Sequence, residues 1–273
     1  MTNDERAVRR LVRDRYADAA SDGCCGGAET SCCGGGDTDP DASGTDSNAD
    51  RIAREIGYDD ESIETVGGEA NLGLGCGNPT AIADLEPGET VLDLGSGGGF
   101  DCFLAAREVG PEGRVIGVDM TPEMIQKARA NAQANDAGTV SFRLGEIEHL
   151  PVADTTVDVI ISNCVVNLSP AKDRVFQEAY RVLQPGGRLA ITDPVRTDSL
   201  PEGVRDDPGS LAGCISGAES PETITTLLET AGFVDISIEL DPDSREVIDE
   251  WHDEYNLGGS LLSARIEAEK PAE

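Results

Sequence analysis

Val91-Leu92-Asp93-Leu94-Gly95-Ser96-Gly97-Gly98-Gly99 is the stretch from which the fold is read. Four residues form a short buried strand. The glycines after it let the backbone turn sharply and approach a ligand with no Cβ in the way. Leu104-Ala105-Ala106 continues as a helix, and Val115-Ile116-Gly117-Val118 is a second strand ended by Asp119. Thr121-Pro122-Glu123 opens the next helix with a cap followed by proline. Residues 140–144 and Val157 to Ser162 give two more strands. A helix over residues 170–183 is predicted to stop at Gln184-Pro185-Gly186-Gly187, and Arg188 to Thr192 make a fifth strand. This alternation predicts an α/β fold with a doubly wound, mostly parallel, Rossmann-like sheet. Beyond it the pattern predicts a smaller C-terminal lobe with a helix at 221–231, a strand at 233–240, a helix at 244–255 and an alternating strand at 261–269.

The 273 residues carry 21 Lys+Arg against 53 Asp+Glu, a net charge of −32. A field this negative repels phosphate backbones and anionic lipid heads, which argues against nucleic acid or a membrane as partner. Only Lys127, Lys172 and Lys270 are lysines, the other bases being arginine, and the acids are spread along the chain. That pattern resembles proteins of salt-loving microbes, so the fold is expected to need salt. No run of 18 apolar residues occurs and no apolar stretch follows the N-terminal charges, so the expected location is cytoplasmic. Residues 4–20 read as an amphipathic helix with Val8, Leu11, Val12, Tyr16 and Ala19 near one face, and Arg6, Arg9, Arg10 and Arg13 available to water. Residues 21–50 hold almost no large apolar side chain and are expected to be mobile, yet they contain the doublets Cys24-Cys25 and Cys32-Cys33. The expected division is an N-terminal segment 1–50, a core 51–195 and a C-terminal part 196–273.

A dinucleotide fingerprint would place glycine where Phe100 stands. Asp119, at the end of the second strand, can accept hydrogen bonds from ribose hydroxyls, and Gly145-Glu146-Ile147-Glu148-His149-Leu150-Pro151 follows the third strand. Over roughly residues 75–195 this set resembles the class I S-adenosylmethionine-dependent methyltransferases. The resemblance implies that Gly95, Gly97 and Gly99 hold the methionine part of S-adenosylmethionine, Asp119 the ribose, and Glu146 and Ile147 the adenine. Asp93, Met120 and Asn163 join them as cofactor-binding candidates.

Four cysteines punctuate this ordered part. Cys102 sits on the helix after the glycine loop, where packing against the sheet is expected. Cys76 lies in Gly75-Cys76-Gly77-Asn78-Pro79, Cys164 in Asn163-Cys164-Val165-Val166-Asn167-Leu168, and Cys214 in Cys214-Ile215-Ser216-Gly217-Ala218. Together with the N-terminal doublets, these three segments resemble the arsenite methyltransferases. The resemblance implies that Cys164 and Cys214 hold trivalent arsenic and that Cys76 joins as a further ligand or redox partner. An N-terminal cysteine, with Cys32 and Cys33 the candidates, would complete a thiol relay. Soft thiolates suit a soft cation, and arsenic bound to sulfur keeps a lone pair that attacks a sulfonium methyl without any proton being removed. Arsenite and methylarsenite would be substrates, and thioredoxin or a small thiol would be the reductant. Asp193 and Pro194 are placed at the pocket's border. Two other readings stay open: methylation of a small organic acceptor such as a quinone or sterol-like compound, and a non-catalytic thiol-based arsenic or metal binder.

Overall fold

The computed structural model describes residues 3–21, 47–66, 69–205, 207, 209–210, 214–252 and 254–272. The N-terminal cysteine doublets, and with them the Cys32 and Cys33 assignments, lie outside these residues.

Seven strands form one sheet in the order β3-β2-β1-β4-β5-β7-β6. They are β1 (Thr90–Leu94), β2 (Arg114–Asp119), β3 (Val140–Leu144), β4 (Val157–Asn163), β5 (Leu183–Arg196), β6 (Val234–Asp241) and β7 (Leu261–Glu269). The first five run parallel, and β7 pairs antiparallel with both β5 and β6. Thus the sheet continues past residue 195 into the C-terminal part. The helices are α1 (Asn3–Ser21), α2 (Asn48–Glu55), α3 (Asp60–Thr65), α4 (Phe100–Val109), α5 (Pro122–Ala134), α6 (Lys172–Val182), α7 (Glu202–Arg205), α8 (Pro221–Ala231) and α9 (Arg245–Asp249).

Central parallel strands are covered on both faces, which is why β1 and β4 read as unbroken apolar runs. Leu92, Leu94 and Ile160 point to one face and pack with Val175, Phe176, Ile224 and Leu228 from α6 and α8. Their neighbours Val91, Val159 and Ile161 point to the other face and meet Cys102, Phe103, Ile125 and Ala128 from α4 and α5. Cys102 is a packing residue there, as expected.

Three sequence expectations are corrected. Residues 48–50, assigned to the mobile segment, already belong to α2, because Ser47 and Asp50 form a reciprocal capping box that starts the helix. The fifth strand begins at Leu183 rather than Arg188. The Gly186 N–H donates to the Lys270 carbonyl (2.9 Å) and the Lys270 N–H to the Gly187 carbonyl (2.8 Å), so the Gln-Pro-Gly-Gly run is carried into the sheet as an irregular start of β5 between β4 and β7. The helix expected over 244–255 is only the five residues of α9 after a 3₁₀ turn at Pro242–Ser244. Asp249 Oδ1 takes the Gly258 N–H at 2.7 Å, turning the chain back toward β7. Trp251 and Tyr255 pack on the cluster of Leu200, Val204, Ile215 and Leu257, so they are core of the C-terminal part as expected.

Candidate active site

The carboxyl ends of β1, β2 and β4 lead into Gly95, Asp119 and Cys164, the edge at which ligands bind in open α/β sheets. Gly95, Gly97 and Gly99 have φ of 72°, 49° and 94°, a region that disfavours any residue with a Cβ. A Cβ on Gly95 would lie 2.4 Å from the Val165 side chain, whereas one on Gly97 would meet nothing within 4 Å. Gly95 is therefore required by packing and Gly97 leaves an open face. The Asp119 carboxylate accepts the Gly97 N–H on Oδ2 (3.0 Å) and the Thr121 N–H on Oδ1 (2.8 Å). Burial raises its pKa, and these backbone bonds oppose the rise. Asp93 lies beneath the loop, 2% exposed, accepting the Cys102 thiol at 3.2 Å. Burial first, then the nearby Asp101 carboxylate, pushes its pKa well up. Ile147 is buried, and Glu146 is half-exposed beside it.

The thiols are assembled around Asn163. Its Oδ1 accepts the Cys76 N–H (3.1 Å) and the Thr192 hydroxyl (3.2 Å), and its Nδ2 donates to the Gly77 carbonyl (2.7 Å) and the Tyr58 hydroxyl (3.0 Å). Tyr58 in turn donates to Asp101 Oδ1 at 2.5 Å. Burial pushes Asp101 up to about 6 against the hydrogen bonds from Tyr58 and Asn163. Asn163 thus spends its amide on positioning the Cys76 turn beside β4.

The sulfurs of Cys76 and Cys164 and one carboxylate oxygen of Asp193 lie within 4.8 Å of one another. Cys214 reaches the same place from the segment after β5, its Sγ 2.7 Å from the Cys164 carbonyl oxygen. Cys164 and Cys214 both adopt left-handed backbone, with φ of 59° and 63°. Burial raises the Cys76 and Cys164 thiols above their ordinary range, and for Cys164 the neighbouring Cys214 and Cys76 add to it. Both thiols are therefore favoured in the neutral form. Three of the sequence-predicted cysteines are brought together, with Asp193 among them.

The first helix covers this site. Val12 is buried against Leu168 and Cys214, with Val8, Leu11, Tyr16, Met120 and Cys164 packed around them. Met120, a cofactor candidate, thus packs on the cluster that Val12 of α1 joins. Arg9, expected to face water, is only 6% exposed: it pairs with Glu148 at 3.0 Å and stands 3.7 Å from Glu146. A buried guanidinium needs such partners, because an isolated charge is costly to bury. Tyr16 is driven well above its usual pKa by burial first, then by the Cys214 and Cys164 sulfurs. The periodicity held this signal, since residues 9, 12 and 16 share one helical face. Tyr58, Asp101 and Glu148 were missed because their partners are distant in sequence. Among the described residues no helix is long and apolar enough to cross a membrane.

This sheet order, glycine loop and strand-end carboxylate define a methyltransferase of the class that takes its methyl group from S-adenosylmethionine. A methyltransferase-domain family model matches residues 85–232. An arsenite methyltransferase of Halobacterium salinarum is 54% identical over 98% of this chain and 68% of its own length. The chain belongs to the arsenite methyltransferase family. The human arsenite methyltransferase is 36% identical over 63% of this chain and 48% of its own length, so this chain matches about half of that relative. The crystal structure of an arsenic(III) S-adenosylmethionine methyltransferase from Chlamydomonas reinhardtii superposes with a TM-score of 0.59 at 36% identity. That match covers 81% of this chain and 73% of that one. The residues present fit S-adenosylmethionine: the Gly97 face is open, Asp119 is fixed at the end of β2, and Ile147 supplies an apolar surface.

Proposed function

We propose that this chain methylates trivalent arsenic, taking arsenite and methylarsenite as substrates. The observation that carries the reading is the meeting of Cys76, Cys164 and Cys214, distant along the chain, at the sheet edge that carries the glycine loop. S-adenosylmethionine, when bound, supplies a methyl group made electrophilic by its sulfonium. Gly95, Gly97 and Gly99 receive its methionine part, Asp119 its ribose, and Glu146 and Ile147 its adenine, with Met120 beside them. Asp93 and Asn163 act from below, one under the glycine loop and the other on the Cys76 turn.

Cys164 and Cys214 hold the arsenic, with Cys76 as a further ligand or redox partner. Sulfur-bound trivalent arsenic keeps its lone pair, so the chain needs no base to generate the nucleophile. Its task is to orient two reactants, for which effective molarities reach about 10⁵ M or more. Methylation oxidises arsenic by two electrons, and two thiolates return them by closing a disulfide. A thioredoxin-like dithiol or small thiol then reopens it by exchange, with Cys32 or Cys33 completing the relay. Free thiols of this kind suit a reducing cytoplasm, and the net charge of −32 suits concentrated salt.

Incubation with arsenite, methyl-labelled S-adenosylmethionine and a dithiol tests the reading. Labelled methylarsenicals are expected, with both cofactor binding by calorimetry and turnover lost in Asp119→Ala. Cofactor binding without label on arsenic would refute it.

A further inference from the structure

Asp193 is 1% exposed at the carboxyl side of β5, in the middle of the thiol cluster. Its Oδ2 accepts the Asn167 N–H at 3.3 Å, but Oδ1 has no hydrogen-bond partner among the described residues. The neighbouring Lys172 ammonium is spent on the carbonyls of Asn167 (3.5 Å) and Ser169 (3.1 Å). A buried acceptor left unpaired is costly and calls for a donor. Among the described residues none makes a hydrogen bond to Oδ1, although the Val165 and Val166 amides lie near enough to the carboxylate to favour its charge, and two sulfurs lie within 4.8 Å of a carboxylate oxygen.

The substrate of the proposed function can bring the donor. Arsenous acid carries three hydroxyls. When the thiols of Cys76 and Cys164 take it up, two As–S bonds form and two As–O bonds break. Each thiol proton leaves with a hydroxide as water, and arsenic stays trivalent. One As–OH remains. We propose that this hydroxyl donates a hydrogen bond to the Asp193 carboxylate, making Asp193 a binding residue that favours arsenite over its methylated product. Methylarsenous acid has two hydroxyls, and the same two exchanges consume both. Its remaining substituent is a methyl group, which offers Asp193 no proton. Cys214, held against the Cys164 carbonyl, replaces the arsenite hydroxyl only after capture, the committing step that kcat/KM reports.

The inference rests on the arsenite-methylating reading, and its test keeps the two apart. Asp193→Leu and Asp193→Ala are compared with the wild-type chain, each preparation being assayed with arsenite and with methylarsenite under saturating S-adenosylmethionine and dithiol. The ratio of the two kcat/KM values does not depend on how much of a preparation is folded. Burial pushes Asp193 up to about 7, so the assays are run at about pH 8, where loss of a hydrogen bond to the charged acceptor is expected to lower the arsenite-to-methylarsenite ratio by about tenfold or more in both variants. An equal loss on both substrates, or none, overturns the inference and leaves the functional reading standing. A wild-type chain that methylates neither arsenical overturns both.

Discussion

The Sγ of Cys214 lies 2.7 Å from the carbonyl oxygen of Cys164, although 50 positions separate the two residues. Both hold left-handed backbone, which costs a side-chain-bearing residue about 1–3 kcal/mol. The strain is spent on bringing two thiols to one point. Cys164→Gly is therefore expected to be at least as stable as Cys164→Ser, by about 1 kcal/mol in urea unfolding, while both lose arsenic methylation. A glycine variant clearly less stable than the serine variant would show that the backbone there is not strained.

Arg9 ties α1 over the site through Glu148, whose carboxylate Oε1 also accepts the Ser169 hydroxyl at 2.6 Å. Arg9→Ala leaves a buried carboxylate without its cation, a change that costs about 3–5 kcal/mol in comparable pairs. Hydrogen exchange should rise over residues 5–20 while the β1 and β4 amides keep their protection. Uniform loss of protection would mean that α1 is an ordinary part of the core rather than a separately released cover.

Gly95 and Gly97 differ in what surrounds them. Gly95→Ala drives a methyl into Val165 and adds backbone strain, so it should destabilise by roughly 2 kcal/mol or more. Gly97→Ala meets no neighbour and should cost about 1 kcal/mol, yet it places a methyl on the open face and weakens S-adenosylmethionine binding. Thermal melts with and without the cofactor separate the two cases.

Asp101, held at about 6 by burial, makes stability depend on pH. Its folded pKa lies above the unfolded value of about 3.9, so the folded state keeps a proton that the unfolded state has already lost. Stability from this group is therefore full below about pH 4 and falls as pH rises to about 6. Asp101→Asn removes that slope. At fixed salt, the variant's unfolding free energy relative to wild type should improve between pH 4 and 6.5; a difference that stays flat across this window would contradict the assigned burial effect.

The sequence carried the architecture well where local patterning and tertiary packing agree. Residues 140–144, 221–231 and 261–269 form the elements expected of them, because strong alternation or a capped amphipathic stretch leaves few alternatives. The residues after 244 misled, because apolar spacing at Trp251 and Tyr255 imitates a helix while the Asp249 contact to Gly258 turns the chain. Within the site, Cys76, Cys164 and Cys214 were legible as residues and their meeting was expected, but the scaffold that holds them together was not. It depends on Asn163, Tyr58 and Asp101, whose contacts span many tens of positions. Arg9 was misassigned because its charge outweighed its place on the buried face of α1. Asp193 was seen only at the pocket's border, since nothing in a sequence shows that a carboxylate oxygen lacks a partner.

The claim at the centre is that separate thiols jointly present arsenic to the methyl donor. The rate of label transfer from S-adenosylmethionine to arsenic in Cys164→Ser, measured beside calorimetric binding of the cofactor, tests it most directly. The account predicts a fall of about 100-fold or more with cofactor affinity unchanged, since Cys164 stands between the other two sulfurs. A serine variant that transfers methyl groups at close to the wild-type rate would contradict it.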